Sequence, residues 1–145
     1  MLSKTIKIHQ GFTLIELLIV MAILGMLAAL VGPTIFDKFF SAQRDAAATQ
    51  INNIEVALDS YRLDMFKYPS SLEDLVKNNA NDSKWQGPYL RKGIPKDPWG
   101  NEYQYKRPGR EGRDYDLYSF GADGQEGGEG DNADIVSWQN SSSAS

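Results

Sequence analysis

GFTLIELLIVMAILGMLAALVGPTIF, residues 11–36, decides how the rest of the chain is read. From Leu17 to Phe36 twenty consecutive residues are uncharged, and Glu16 is the single charged residue between Phe12 and Phe36. At about 1.5 Å rise per residue, such a run covers roughly the 30 Å hydrocarbon core of a bilayer as one helix. A cleaved secretory signal has a shorter apolar region ending in an A-x-A-like site, and no such site follows here. The segment 12–36 therefore reads as a transmembrane helix. Lys4 and Lys7 precede it without an acid, which orients residues 1–11 toward the cytoplasm and the C-terminal part across the membrane.

The 145 residues carry 15 Lys+Arg and 19 Asp+Glu, a formal charge of −4. That charge divides as +2 over residues 1–11, −1 over 12–36 and −5 over 37–145. An acidic domain on a membrane segment argues against binding nucleic acid. The chain has no cysteine, and its one histidine, His9, lies upstream of the apolar run. A disulfide, a thiolate nucleophile, a Ser-His-Asp triad and the usual Cys/His zinc site are excluded from the remainder. Oxygen ligands are plentiful, which keeps a hard cation such as calcium in play.

A carboxylate beside an apolar span is costly near the bilayer centre and less so at its edge. Glu16 either snorkels at the interface, favoured by a helix N-terminus, or meets a cation. A cut between Gly11 and Phe12 would supply that cation, an α-amine one helical turn away that could neutralise Glu16 of a neighbouring copy. Gly25, Ala28, Ala29 and Gly32 fall at i, i+3, i+4 and i+7, a smooth face suited to helix association, although such residues are also common in membrane helices. Pro33 predicts a kink or a locally melted turn.

Beyond the span, Ala47, Ile51, Ile54, Leu58 and Tyr61 recur at spacings of 4, 3, 4 and 3, an amphipathic helix facing a core. Together with the span this predicts one helix from Thr13 to Asp64. Lys67-Tyr68-Pro69 breaks it, and Ser70 with Glu73 predicts a capping box opening a short helix to Asn78 that buries Leu72, Leu75 and Val76. Asn78 to Asp82 is loop by composition, and Trp85, Tyr89, Leu90 and Ile94 pin an irregular stretch to the core. Asp97-Pro98-Trp99-Gly100 is a turn. Strands follow at Glu102–Lys106, Tyr115–Phe120 and Ile135–Trp138. The fold class is α+β, a small antiparallel sheet of about three strands against the second half of the long helix. The domain plan is 1–11 leader, 12–36 span, 37–140 globular domain and 141–145 disordered tail.

Asp123 to Asp134 places five acids and four glycines in twelve residues. Calcium takes six to eight oxygens, and glycines let backbone carbonyls turn inward. Asp123, Gly128 and Asp134 fit the first, sixth and twelfth EF-hand positions, but Gln125 and Gly127 miss the third and fifth, so the EF-hand is rejected. A solvated acidic loop is the competing reading.

KIHQGFTLIELLIVMAIL resembles the N-terminus of type IV pilins and type II secretion pseudopilins: a basic leader, a Gly-Phe junction and Glu as the fifth residue after it. WQGPYLRKGIPKDPWGNEYQY and DYDLYSFGADGQEGG narrow the resemblance to the major pseudopilins of type II secretion. The resemblance implies a pilin-like fold and cleavage after Gly11 by a prepilin peptidase that also N-methylates Phe12. It implies that Glu16 guides subunits into a helical homopolymer. It further implies calcium in the acidic loop, with Asp123 and Asp134 as side-chain ligands, Asp131 a third acid, and the carbonyls of Phe120 and Gln125 contributing. Glu126 and Glu129 stay solvent-facing. The implied setting is the inner membrane with a periplasmic domain. The implied partners are membrane lipid before assembly, minor pseudopilins and the inner-membrane assembly platform. Two other functions stand beside this one: a type IV pilin of a surface pilus, which usually carries a disulfide, and an enzyme or calcium sensor on an anchor, for which no catalytic constellation is present.

Overall fold

A computed structural model describes residues 10–139. The predicted leader's first nine residues and the predicted tail, 141–145, lie outside them. The chain divides into two compact units between Lys38 and Phe39. The element order is α1 (Leu14–Met65), a 3-10 turn at Leu72–Leu75, β1 (Gln104–Lys106), a 3-10 turn at Arg110–Gly112, β2 (Asp116–Ser119), a 3-10 turn at Gly130–Asn132 and β3 (Ile135–Val136).

In the first unit α1 presents apolar side chains all round, and every large one from Leu14 to Phe36 is more than 45% exposed. This segment is long and apolar enough to cross a membrane, and none of its apolar window is buried within the chain. Such surface has no stable place in water, which is the physical reason to seat it in lipid or against other subunits. The expected melted turn at Pro33 is absent: the helix continues through Gly32 and Pro33. Proline deletes a single helical donor, and the helix runs unbroken on both sides of it despite the weak helix formers Val31, Gly32, Thr34 and Ile35.

In the second unit α1 buries Ala47, Ile51, Ile54, Ala57, Leu58, Tyr61 and Met65, which includes every position the periodicity predicts. These join Leu72, Leu75, Tyr103, Leu117 and Ile135 in one cluster, each large aliphatic side chain contributing about 1.5–3 kcal/mol by burial. Trp85, Tyr89, Leu90 and Ile94 pack against it, as expected of the irregular stretch.

The sheet has the order β1-β2-β3 and is antiparallel throughout. Tyr105 pairs with Leu117, Tyr118 with Val136 and Ser119 with Ile135. The strands are shorter than predicted, because Glu102 pairs with Lys96 as an isolated bridge and β3 stops after two residues.

The predicted capping box is displaced by one residue. Asp74, not Glu73, accepts from the Ser71 N–H at 3.4 Å and from the Ser70 hydroxyl at 2.9 Å. It opens a single 3-10 turn that buries Leu72 and Leu75, while Val76 is half-buried. The 97–100 turn forms as expected, the Gly100 N–H donating to the Asp97 carbonyl at 2.9 Å.

Candidate functional site: the N-terminal junction and the acidic loop

The Gly11-Phe12 junction lies just ahead of α1, in exposed non-helical chain, with Phe12 92% exposed. A Cβ at Gly11 would meet nothing within 4 Å. The fold therefore does not require glycine there, and the junction is open to another protein. Two residues on, Thr13 and Glu16 form a reciprocal capping box: the Thr13 N–H donates to Glu16 Oε2 at 3.0 Å, and the Glu16 N–H donates to Thr13 Oγ1 at 3.3 Å. The Thr-x-x-Glu spacing is a readable start signal that sequence reasoning missed. Within a single copy, Glu16 thus has a hydrogen bond but no counter-charge from the described residues.

The acidic loop hangs between β2 and β3 and is built on turns. Gly121, Gly124, Gly127, Gly128 and Gly130 all have positive φ, so the backbone folds back in a way side-chain-bearing residues resist. Asp123 is exposed and its Oδ1 accepts from the Gln125 N–H at 3.1 Å. Asp134 Oδ2 accepts from the Gly127 N–H at 3.1 Å, while its Oδ1 is buried without a hydrogen-bond partner. Asp131 contributes its backbone, the carbonyl accepting from the Ala122 N–H at 3.1 Å. Phe120 is half-buried with its ring against Tyr118. Gln125 is exposed. Among the described residues no three His, Cys, Asp or Glu side chains form a metal-binding cluster. The donors this loop offers a cation are thus mixed, Asp134 Oδ1 together with neighbouring carboxylates and carbonyls. An orphaned buried carboxylate oxygen amid hard donors fits calcium chemistry.

Sequence reasoning also missed the residues that fix the loop's surroundings. Asp97 is 4% exposed, and its carboxylate accepts from the Ser119 hydroxyl at 2.7 Å and from the N–H groups of Asn101 and Trp99 at 2.8 and 3.1 Å. Ser119 in turn accepts from the Gly121 N–H at 3.2 Å, tying the turn to the loop's first residues. Asp116, fully buried, accepts from Arg113 Nε at 2.8 Å, Arg110 Nε at 3.0 Å and the Arg110 N–H at 3.2 Å. Burial opposes its ionisation, but Arg113 and Arg110 outweigh that and hold the carboxyl below the usual range. Arg110 also reaches Glu126 at 3.6 Å, and Arg113 lies over the Trp138 ring at 4.2 Å. Arg44 of α1 donates to the carbonyls of Ala133 and Asp131 at 2.7 and 3.4 Å.

A capped apolar helix behind an exposed Gly-Phe junction, continuing into a helix that carries a small antiparallel sheet, defines a membrane-anchored subunit of type IV pilin-like fold. Residues 6–32 match the prokaryotic N-terminal methylation motif, and residues 34–138 match the family described as type II secretion system (T2SS), protein G. This chain belongs to that family, whose members are structural subunits of the secretion system. It is 48% identical to the type II secretion system core protein G of Pseudomonas aeruginosa, over 91% of this chain and 96% of that one. The Vibrio cholerae core protein G is 44% identical over 93% and 95%. The crystal structure of the major pseudopilin from the type 2 secretion system of enterohaemorrhagic Escherichia coli superposes with a TM-score of 0.53. It is 33% identical and covers 68% of this chain and 89% of that one. The surface-pilus alternative is not favoured by these relatives.

Proposed function

We propose that this chain is processed after Gly11, N-methylated on Phe12, and polymerised from the inner membrane into a periplasmic pseudopilus that drives protein export across the outer membrane. The observation that carries this reading is the exposed Gly-Phe junction followed by a capped helix whose apolar surface is unburied in the single copy. Prepilin peptidase, minor pseudopilins, the assembly platform and lipid are its partners, and it has no active site of its own. Expressing the full chain with and without a prepilin peptidase and measuring its intact mass tests the first step. Loss of residues 1–11 with one added methyl group is expected, and an uncut chain, or a cut beyond Phe36, would overturn the proposal.

We further propose that the acidic loop holds calcium through Asp123 and Asp134, with Asp131 and the carbonyls of Phe120 and Gln125. The unpaired Asp134 Oδ1 supports this, as does the five-glycine backbone around it. Calcium binding here ties β3 to the sheet through Asp134-Ile135, the service a disulfide performs in pilins. Melting the full chain in calcium and in chelator is expected to differ by several degrees through linkage, and equal midpoints would refute it.

A further inference from the structure

We infer that Arg44, a helix residue far from the loop in sequence, is the positioning residue of this cation site; the inference rests on the calcium reading above. Its Nη1 donates to the Ala133 carbonyl at 2.7 Å and the Asp131 carbonyl at 3.4 Å. Those two carbonyls lie just ahead of Asp134, so one guanidinium nitrogen bridges them and sets the orientation of the peptide planes leading into the acid. The same stretch is gripped from its other sides. The Ala122 N–H donates to the Asp131 carbonyl at 3.1 Å. A Cβ on Gly121 would stand 2.7 Å from the Ala133 carbonyl oxygen, and one on Gly128 would stand 2.6 Å from that of Asn132.

This arrangement has two consequences. The Asp131 carbonyl accepts from both Arg44 and the Ala122 N–H, which engages its two lone pairs and is in keeping with carbonyl ligands drawn from elsewhere in the loop, such as Phe120 and Gln125. Arg44 also brings positive charge to an acidic loop without pairing with its carboxylates, leaving Asp134 Oδ1 free for the metal. The loop's C-terminal arm is therefore anchored to α1 before a cation arrives. Its Asp123 arm is held by local turns, the Gln125 N–H on Asp123 and the Gly124 N–H on the Gly121 carbonyl at 3.4 Å. Calcium then has one arm to order rather than two, which places the affinity of the site partly in a residue that never touches the metal.

The test is isothermal titration of the full chain in detergent micelles with calcium chloride, comparing the unaltered protein, Arg44→Gln and Arg44→Lys. Melting midpoints of all three are recorded in chelator. Supporting partners of metal ligands typically account for about 10- to 100-fold in affinity, and a loss of that order is expected for Arg44→Gln with a chelator midpoint close to the parent's. Arg44→Lys, retaining charge and donors but not the fixed guanidinium geometry, is expected to fall between the two. Undiminished affinity in Arg44→Gln would overturn the inference while leaving the calcium site standing. So would a chelator midpoint that falls as far as the calcium-bound one, since that marks a purely structural role. Failure of the unaltered chain to bind calcium would overturn both.

Discussion

Replacing Asp116 by alanine should destabilise this domain markedly, because it strips a buried carboxylate from two guanidinium groups. The carboxylate is fully buried on β2 and takes three hydrogen bonds, two of them from guanidinium groups at 2.8 and 3.0 Å. Removing one member of a buried ion pair costs about 3–5 kcal/mol, because the partner keeps its desolvation penalty and loses its counter-charge. Here the partners can recover some hydration: the Arg110 side chain is 55% exposed, and Arg113 keeps Glu111 at 2.9 Å. That places the cost at the low end, about 3 kcal/mol. At roughly 4–8 °C per kcal/mol for a domain of about this size, the melting midpoint falls by roughly 12–24 °C. The effect depends on pH in a defined direction. The Asp116 carboxyl is held below its ordinary value, so its stabilisation is complete above about pH 4 and is lost as pH falls through the folded value. Circular dichroism melts of the full chain in micelles, parent and variant, at neutral pH and in acid, measure both. A neutral-pH drop under about 4 °C, against the 3–5 kcal/mol expected of a broken buried pair, would refute the reasoning. A gap that fails to narrow in acid would refute it equally.

Leu58, fully buried on α1, should cost about 2–5 kcal/mol when cut to alanine, read as a lower urea midpoint with an unchanged slope. Gly121→Ala forces a side chain into φ +73° and against the Ala133 carbonyl, so a loss of about 1–3 kcal/mol is expected in thermal melts. Burial raises Tyr103 and Tyr105 well above the ordinary tyrosine value, and burial together with Glu55 does the same for Tyr115. Their contribution to stability is whole below about pH 10 and is lost as pH rises through the folded values. An absorbance titration should therefore show less tyrosinate at about pH 11 in the folded chain than in denaturant.

The long helix and its buried face were legible because period 3.6 is written in the apolar residues themselves, from Ala47 to Tyr61. The sheet was legible in position but not in extent, since pairing beyond Gln104 depends on where the Lys96 backbone lies. Ser70-Ser71-Leu72-Glu73-Asp74 supports two overlapping capping registers, and packing of Leu72 and Leu75 chose the second. Asp116 lies among Tyr115, Leu117 and Tyr118 with nothing in the sequence to mark it as buried, and only the fold brings Arg110 and Arg113 over it. The loop announced itself by composition, with five acids among glycines. Arg44 gave no signal, because 89 residues separate it from Ala133.

We propose that the helix bearing Glu16 assembles membrane-anchored subunits into a fibre, with the carboxylate needed as a charge and not merely as a helix cap. Glu16→Gln separates the two roles, since its amide oxygen can still accept from the Thr13 N–H while the charge is gone. The full chain, Glu16→Gln and Glu16→Ala are expressed in bacteria whose type II secretion system lacks its own major pseudopilin, and fibres are counted by electron microscopy. Fibres are expected from the unaltered chain, and membrane-retained, unassembled subunits from both variants. Fibres from Glu16→Gln at the unaltered level would contradict the proposal.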